Sequence, residues 1–354
     1  MWRLAAERGR SVSAPPDRLD TADAGDGHQP PRPRRSPGRF VAAAVWTAAA
    51  AVGVLPDLLF GLDRRSPFVQ LVSFRWQLIV AGFAVLVVLG LINLRVRRAW
   101  PFTAGLAAVL LIGAAMVAPR VLPDPVPTTG TPFKVLSFNV YEGRANTKAL
   151  ADLIRTEQPD VVVLPEAGQH FADELAPLIE PMGYRLRSSV DEDEDDVNGV
   201  TAAVAARLGD VSFKVGHNTS TFPDVQITGG TLGALKVVAF HSVAPVPGAV
   251  PEWRDDMSLL PTWCAAPTPA IVAGDFNATL DHSMLRAGMA GCGDAAAQRG
   301  DGLAPTWGPT QRTRVIGPQI DHVLANHGIV AESFRVVDLP GSDHHAILTT
   351  LRLP

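Results

Sequence analysis

Cysteine is scarce in this chain. Two residues, Cys264 and Cys292, among 354 exclude a scaffold built on disulfides, and their spacing excludes a Cys/His zinc site. They either pair with each other in an oxidising compartment or remain buried thiols, and the sequence leaves both open. There is no Gly-x-Ser-x-Gly turn to present a serine nucleophile and no Walker loop to cradle nucleotide phosphates. The acidic run from Asp191 to Asp196 lacks EF-hand spacing and reads as a solvated loop. Large apolar side chains are nearly missing from residues 1–39, which are rich in Arg, Pro, Asp and Gly. Such a tail buries too little surface to offset the entropy of ordering, so disorder is expected there.

What remains falls into two electrostatic halves. Residues 1–130 carry 15 basic and 8 acidic groups, and residues 131–354 carry 16 and 27. The first half also holds three apolar runs: Phe40 to Leu62, interrupted by Pro56 and Asp57; Trp76 to Leu94; and Pro101 to Leu122, whose one charge is Arg120. Each approaches the roughly 20 residues that cross a bilayer core. Their succession on short linkers, without an amphipathic face, predicts three transmembrane helices within 40–122 and a lipid bilayer as partner. Trp46, Trp76 and Trp100 suit interfacial positions. Arg32, Arg34, Arg35 and Arg39 precede the first run, and Arg95, Arg97 and Arg98 lie between the second and third, against Arg64 and Arg65 on the other side. The larger clusters predict a cytoplasmic N-terminus and an extracytoplasmic C-terminal domain. The Pro-rich stretch 123–132 is expected to be a stiff linker holding that domain off the membrane surface.

The domain at 133–354 reads as strands with interspersed helices, an α/β class. Lys134 to Val140 alternates, with Val135, Ser137 and Asn139 on one face. Asn146 or Thr147 caps a helix to about Gln158, and Asp160 to Leu164 is a buried strand ending at Pro165-Glu166. Further strands are expected at 201–207, 211–216, 234–240, 319–325, 329–337 and 345–352, and helices near 252–263 and 281–290. The central stretch is Ile271 to Asn277: an apolar strand that delivers Asp275 and Asn277 to one side of its end.

Polar groups recur at strand ends: Asn139, Glu166, His241, Asp275 with Asn277, Asp321, and Asp343-His344. Burying such groups is costly unless they satisfy one another, water or a ligand. The segments Leu136-Ser137-Phe138-Asn139-Val140, Leu164-Pro165-Glu166, Ala239-Phe240-His241, Gly274-Asp275-Phe276-Asn277, Ile320-Asp321-His322 and Gly341-Ser342-Asp343-His344 resemble, in order, the motifs of the endonuclease/exonuclease/phosphatase (DNase I-like) superfamily. The resemblance spans about residues 132–354. It implies a four-layer α/β sandwich, two facing β-sheets flanked by helices, with metal-dependent phosphate-ester hydrolysis at one end.

On that resemblance Glu166 is the expected Mg²⁺ ligand, with Mn²⁺ or Ca²⁺ as alternatives, and Asn139 and Asp343 stand by the metal. Asp275 orients or deprotonates water, Asn277, His241 and Asn139 contact the phosphate, and His344 pairs with Asp321. His322 and His345 point elsewhere by alternation. Arg207, Thr306 and Trp307 are weaker candidates near the site. The implied activity is a membrane-anchored phosphodiesterase or nuclease. A phospholipid, sphingomyelin or sugar-phosphate phosphoesterase and a catalytically inactive membrane scaffold are the alternatives, and the intact set of acids and histidines speaks against the last. The acidic domain weakens the nuclease reading, because duplex affinity comes from Lys and Arg. No aromatic loop for membrane insertion is legible, and no protein partner is expected.

Overall fold

The computed structural model describes residues 37–354. Residues 1–36 of the expected tail lie outside them, while Pro37 to Arg39 open a helix rather than ending a tail. That helix, α1 (Pro37–Val54), packs with α3 (Arg75–Arg95) and α4 (Trp100–Val117). Small residues let the backbones approach: a Cβ at Gly105 would strike Thr47, one at Gly113 would meet Val54 and Ile79, and one at Gly82 would strike Leu110. Phe40 meets Trp100 edge-to-face at one end of the bundle. At the other end Arg75 Nε donates to Val54 O at 2.9 Å.

By length and composition two of these helices, Arg75–Arg95 and Arg97–Val121, are long and apolar enough to cross a membrane. The first run is shorter than expected: Gly38–Val54 falls below that length, because Pro56 cannot continue the ladder. Residues 56–58 and 62–64 form 3₁₀ turns, followed by the short α2 (Phe68–Val72).

The segment between α1 and α3 is packed onto the C-terminal domain. Val69 is buried in that domain's core with Trp253, Met257 and Phe276. Arg75 is buried and paired with Asp57 and, at 2.8 Å, with Asp281, which also pairs with Arg120. His282 Nε2 donates to Val69 O at 2.9 Å, and Ser283 N donates to Asp63 Oδ2 at 2.7 Å. The stretch after α4, expected to be a stiff linker, also touches the domain: Asp124 N donates to Gln298 O and Gly302 N to Arg120 O, each at 2.9 Å.

The domain itself has two six-stranded sheets. One comprises β1 (Thr131–Ser137), β2 (Val161–Pro165), β3 (Tyr184–Ser188), β4 (Val200–Ala205), β11 (Val330–Val337) and β12 (Ala346–Leu353), in the order β11-β12-β1-β2-β4-β3. The other comprises β5 (Val211–Gly216), β6 (Asp224–Gly229), β7 (Lys236–His241), β8 (Ala270–Asp275), β9 (Gly293–Asp294) and β10 (Asp321–Ala325), in the order β5-β6-β7-β8-β10-β9. Each sheet has one parallel pair at its centre, β1–β2 and β7–β8, and antiparallel neighbours elsewhere.

Alternation along the strands fills the layers. Val135, Val161, Val163, Val237, Ile271 and Ala273 meet between the sheets. Leu136, Val162 and Leu164 face outward onto α5 (Thr147–Glu157) and α6 (Gln169–Ile179). Val238, Phe240 and Val272 face α7 (Val250–Leu259), α8 (Pro261–Cys264) and α9 (Ser283–Gly288). A last short helix, α10 (Ala295–Gln298), follows β9.

Asn146 caps α5 by accepting from Ala149 N at 2.8 Å, as the sequence predicts. The elements β3, β6 and α6 were not legible; α6 carries an internal Pro177 and β3 places Arg185 and Arg187 on its exposed side. Cys264 and Cys292 form a disulfide, which closes the alternative the sequence left open.

Candidate active site

Three strands of the second sheet set the first part of the site. In the register, His241 at the end of β7 stands beside Asp275 at the end of β8, and Asp275 stands beside Asp321 at the start of β10. Residues in register share a face, so one carboxylate is flanked by an imidazole and a second carboxylate. The first sheet supplies the rest across the gap: Asn139 after β1, Glu166 after β2, and Asp343-His344 before β12. The last step is possible because β12 runs antiparallel to β1.

The backbone is contorted where it meets the site. Glu166 and Asn277 hold φ of 59° and 45°, a left-handed conformation costly for residues with a Cβ and tolerated where the surroundings fix it. Gly274 has φ 145°, and a Cβ there would lie 1.8 Å from Phe240 O. Only glycine lets β8 press this closely on β7.

His344 Nδ1 donates to Asp321 Oδ2 at 2.9 Å, and His344 Nε2 faces Asp275 Oδ2 at 3.6 Å. Burial works against a charge on His344, but Asp321 and Asp275 outweigh it and hold the imidazolium up to about 10. Burial, then repulsion from Asp321, pushes Asp275 up. His241 is buried and stacked on Phe222, with ring centroids 4.1 Å apart. Burial and the nearby His344 charge hold it neutral, down to about 3. Its Nε2 lies 3.8 Å from Asp275 and 4.0 Å from Glu166. Glu166 and Asp343 are each raised, chiefly by burial.

All eight residues singled out in the sequence converge on this rim, although their surroundings differ. Asn139, expected at the metal or phosphate, has its amide fully engaged: Nδ2 donates to Glu166 at 2.8 Å and Asp275 at 3.0 Å, and Oδ1 accepts from Tyr141 N. It ties the two carboxylates together. Glu166 also accepts from Glu142 N at 2.8 Å. Asn277 donates through Nδ2 to Ser242 O at 2.9 Å, and the residue lines a cavity.

Arg207 is not at the site. It pairs with Asp160 at 2.7 Å, at the far end of β2, because β4 runs antiparallel to β2. Thr306 and Trp307 are at the site: the Thr306 hydroxyl accepts from Ile320 N and Asp321 N, and Trp307 Nε1 donates to Asp343 Oδ2 at 3.1 Å. His322 and His345 face away, toward Asp294 and Pro305 O. Sequence reasoning missed Phe222, which no motif marks, and Ser342, whose hydroxyl donates to Asn139 O and accepts from His344 N.

The donor set fits a divalent cation. Glu166, His241 and Asp275 each offer a ligand atom within 4.8 Å of the others, as do Asp275, Asp321 and His344. Asp321 Oδ1 and Asp343 Oδ1 are buried without a hydrogen-bond partner among the described residues. Four carboxyl groups thus face one imidazolium, an excess of buried acid that a cation would compensate.

No sequence among the curated proteins matches the chain. Solved structures share its fold. An endonuclease/exonuclease/phosphatase family protein from Leptotrichia buccalis is 15% identical, with 62% of this chain and 100% of that one covered and a TM-score of 0.50. One from Bacteroides thetaiotaomicron is 14% identical, covering 64% and 99%, with a TM-score of 0.50. An AP endonuclease from Leishmania major is 16% identical, covering 68% and 95%, also at 0.50. The model of the Endonuclease/Exonuclease/phosphatase family matches residues 136–344, well over half of the chain. With the strand-end motifs, the two-sheet sandwich and the acid–imidazole rim all in hand, the chain belongs to the Endonuclease/Exonuclease/phosphatase family and carries its phosphoesterase fold.

Proposed function

We propose that this protein is a membrane-anchored, divalent-metal-dependent phosphoesterase. The observation that carries the reading is the convergence of Glu166, Asp275, Asp321 and His344, from four separate strand ends, on one rim. Glu166 and Asp343 would hold the ion, with Asn139 keeping Glu166 in place. When bound there, a divalent ion, Mg²⁺ in the first instance, would neutralise charge that builds on the phosphoryl oxygens.

The chain's own groups do the rest. Asp275, raised by its buried position and by Asp321, takes a proton from water as the water oxygen bonds to phosphorus. The opposite P–O bond breaks and its electron pair stays on the leaving oxygen. His344, protonated because Asp321 and Asp275 hold its charge, donates to the phosphate. Both are raised, Asp275 to about 7 and His344 to about 10, so near neutral pH one can take a proton while the other carries one. Asp321 orients the His344 ring and holds its charge, while His241 and Asn277 contact the phosphate oxygens.

Membrane anchoring is supported by α3, whose apolar surface is not buried by the rest of the chain, and by the small-residue contacts among α1, α3 and α4. An extracytoplasmic domain is supported by Arg39, Arg95, Arg97 and Arg98 at the far end of the bundle and by the Cys264–Cys292 disulfide, a bond of oxidising compartments. A reporter fused after Pro354 and read from inside and outside the cell tests this orientation.

The activity is tested with the full chain in detergent, supplied with Mg²⁺ or Mn²⁺, against bis-p-nitrophenyl phosphate, plasmid DNA and phospholipid vesicles. Turnover of one of them that disappears in His344→Ala supports the reading. Absence of turnover with all three would remove it. A nuclease is the weaker form of the proposal, because residues 131–354 carry 27 acidic against 16 basic groups.

A further inference from the structure

The catalytic rim opens into a cavity of about 220 Å³ that the catalytic domain does not complete alone. One wall is α2 and the turn that leads to α3, through Gln70, Ser73 and Phe74. The other includes Val246, and Asn277 and Trp307 form the boundary with the catalytic residues. The cavity is therefore continuous with the side chains that face the phosphate. Its walls are predominantly apolar, unlike the acid–imidazole rim beside it.

The wall from the membrane segment is fixed in place. Gln70 Nε2 donates to Pro245 O, and Gln77 Nε2, in the first turn of α3, donates to Ile316 O at 3.1 Å. Val69 is fully buried in the domain core. The base of the apolar helix α3 thus stands at the mouth of the catalytic cleft. Around it lie exposed apolar side chains: Phe74, Val246, Val315 and Ile316. Phe60, in the turn after α1, is also fully exposed, an aromatic group that the sequence alone did not mark. Apolar groups collected at the foot of a helix suited to lipid belong at the bilayer surface.

We propose that this cavity receives the apolar chain of a bilayer-resident phosphate ester, so that the substrate is an amphiphile whose phosphate reaches His344 and Asn277 while its chain lies against Phe74 and Val246. The inference rests on the phosphoesterase reading above and specifies its substrate. The cavity is smaller than the roughly 300–1,000 Å³ that encloses a whole small ligand, which suits the proximal part of a chain whose remainder stays in lipid. Hydrolysis then joins the water oxygen to phosphorus and releases one alcohol, with the proton lost by water balanced by the one gained at the leaving oxygen. Two sources share this chemistry, diacyl phospholipids and polyprenyl phosphates.

The test uses the full chain in phosphatidylcholine vesicles with Mg²⁺. Dioleoyl and dibutyryl phosphatidic acid are compared, with polyprenyl phosphate as a third arm and bis-p-nitrophenyl phosphate as a water-soluble reference. The expected result is a preference for a long-chain ester, with Phe74→Asp and Val246→Asp each lowering the long-to-short ratio of kcat/KM by about tenfold or more, the discrimination an apolar pocket can supply. Which long-chain arm is favoured identifies the source. Because a charged variant can disturb folding, the wild-type protein is also labelled with a phosphatidic acid carrying a diazirine in its acyl chain. Crosslinks within 70–74 or 244–246 are expected. Equal turnover of long and short chains, or crosslinks confined to the surface of α3, overturns the inference while leaving the phosphoesterase intact. Loss of turnover on bis-p-nitrophenyl phosphate as well removes the parent reading, and this one with it.

Discussion

His344 Nδ1 lies 2.9 Å from Asp321 Oδ2, and both side chains are buried. The carboxylate holds the charged ring in orientation and keeps its other N–H aimed at Asp275 and the cleft. Asp321→Asn retains the shape but removes the charge that holds the imidazolium. Its kcat on bis-p-nitrophenyl phosphate is expected to fall by roughly 10²–10⁴-fold with KM little changed. Circular dichroism should show an intact fold; an active Asp321→Asn enzyme would refute the pairing's role.

Metal binding is expected to register as stability as well as activity. Saturating Mg²⁺ at 100 times its Kd adds about 2.7 kcal/mol to a folded state that alone binds it, so the Tm of the wild-type protein should rise. In Glu166→Gln that response should shrink strongly. EDTA should abolish turnover, and readdition of Mg²⁺ or Mn²⁺ should restore it. An equal Tm shift in both proteins would move the site away from Glu166.

Asp281 joins the helical bundle to the catalytic domain, since it pairs with both Arg75 and Arg120. All three side chains are buried. Asp281→Ala leaves two guanidinium groups without their shared partner, a loss of about 3–5 kcal/mol. Asp281→Asn should recover part of it through hydrogen bonding. Limited proteolysis between α1 and α3 is the readout: faster cleavage in Asp281→Ala is expected, and unchanged cleavage would show that the apolar contact of Val69 suffices.

His322 provides a pH signature. Its two ring nitrogens face acceptors, Asp294 Oδ2 at 2.8 Å and Ala278 O at 2.9 Å, so the doubly protonated ring is the form that fits. Burial opposes the charge, yet Asp294, Ala278 O and the neighbouring Asp321 outweigh it and raise His322 above its usual 6.5. A raised folded value means the stabilisation is complete below about pH 6.5 and is lost as pH climbs through the folded value. The Tm gap between wild type and His322→Asn should therefore be widest near pH 6 and narrow toward pH 9. A gap independent of pH would mean the ring is neutral throughout.

Local chemistry made much of this protein legible from its residues. Apolar runs long enough for helices, alternation in strands such as Lys134 to Ser137, the Asn146 cap and polar groups at strand ends are all properties of neighbours in the chain. They were enough to indicate an α/β domain with eight polar residues at its strand ends, and the family resemblance of those segments implied the two-sheet sandwich and a site at one end of it. The tertiary structure decided what depends on residues far apart meeting. It put Arg207 at the wrong end of its strand for catalysis, and it used the Asn139 amide to bind Glu166 to Asp275. It paired Cys264 with Cys292, and it brought Trp307 onto Asp343. Above all it laid residues 56–75 against the catalytic domain, with Gln70 and Phe74 walling the cleft, where the sequence suggested only the end of one apolar run and a short link to the next. No periodicity encodes such a contact: it arises only when two surfaces, one from each end of the chain, bury apolar area and match charges across their interface.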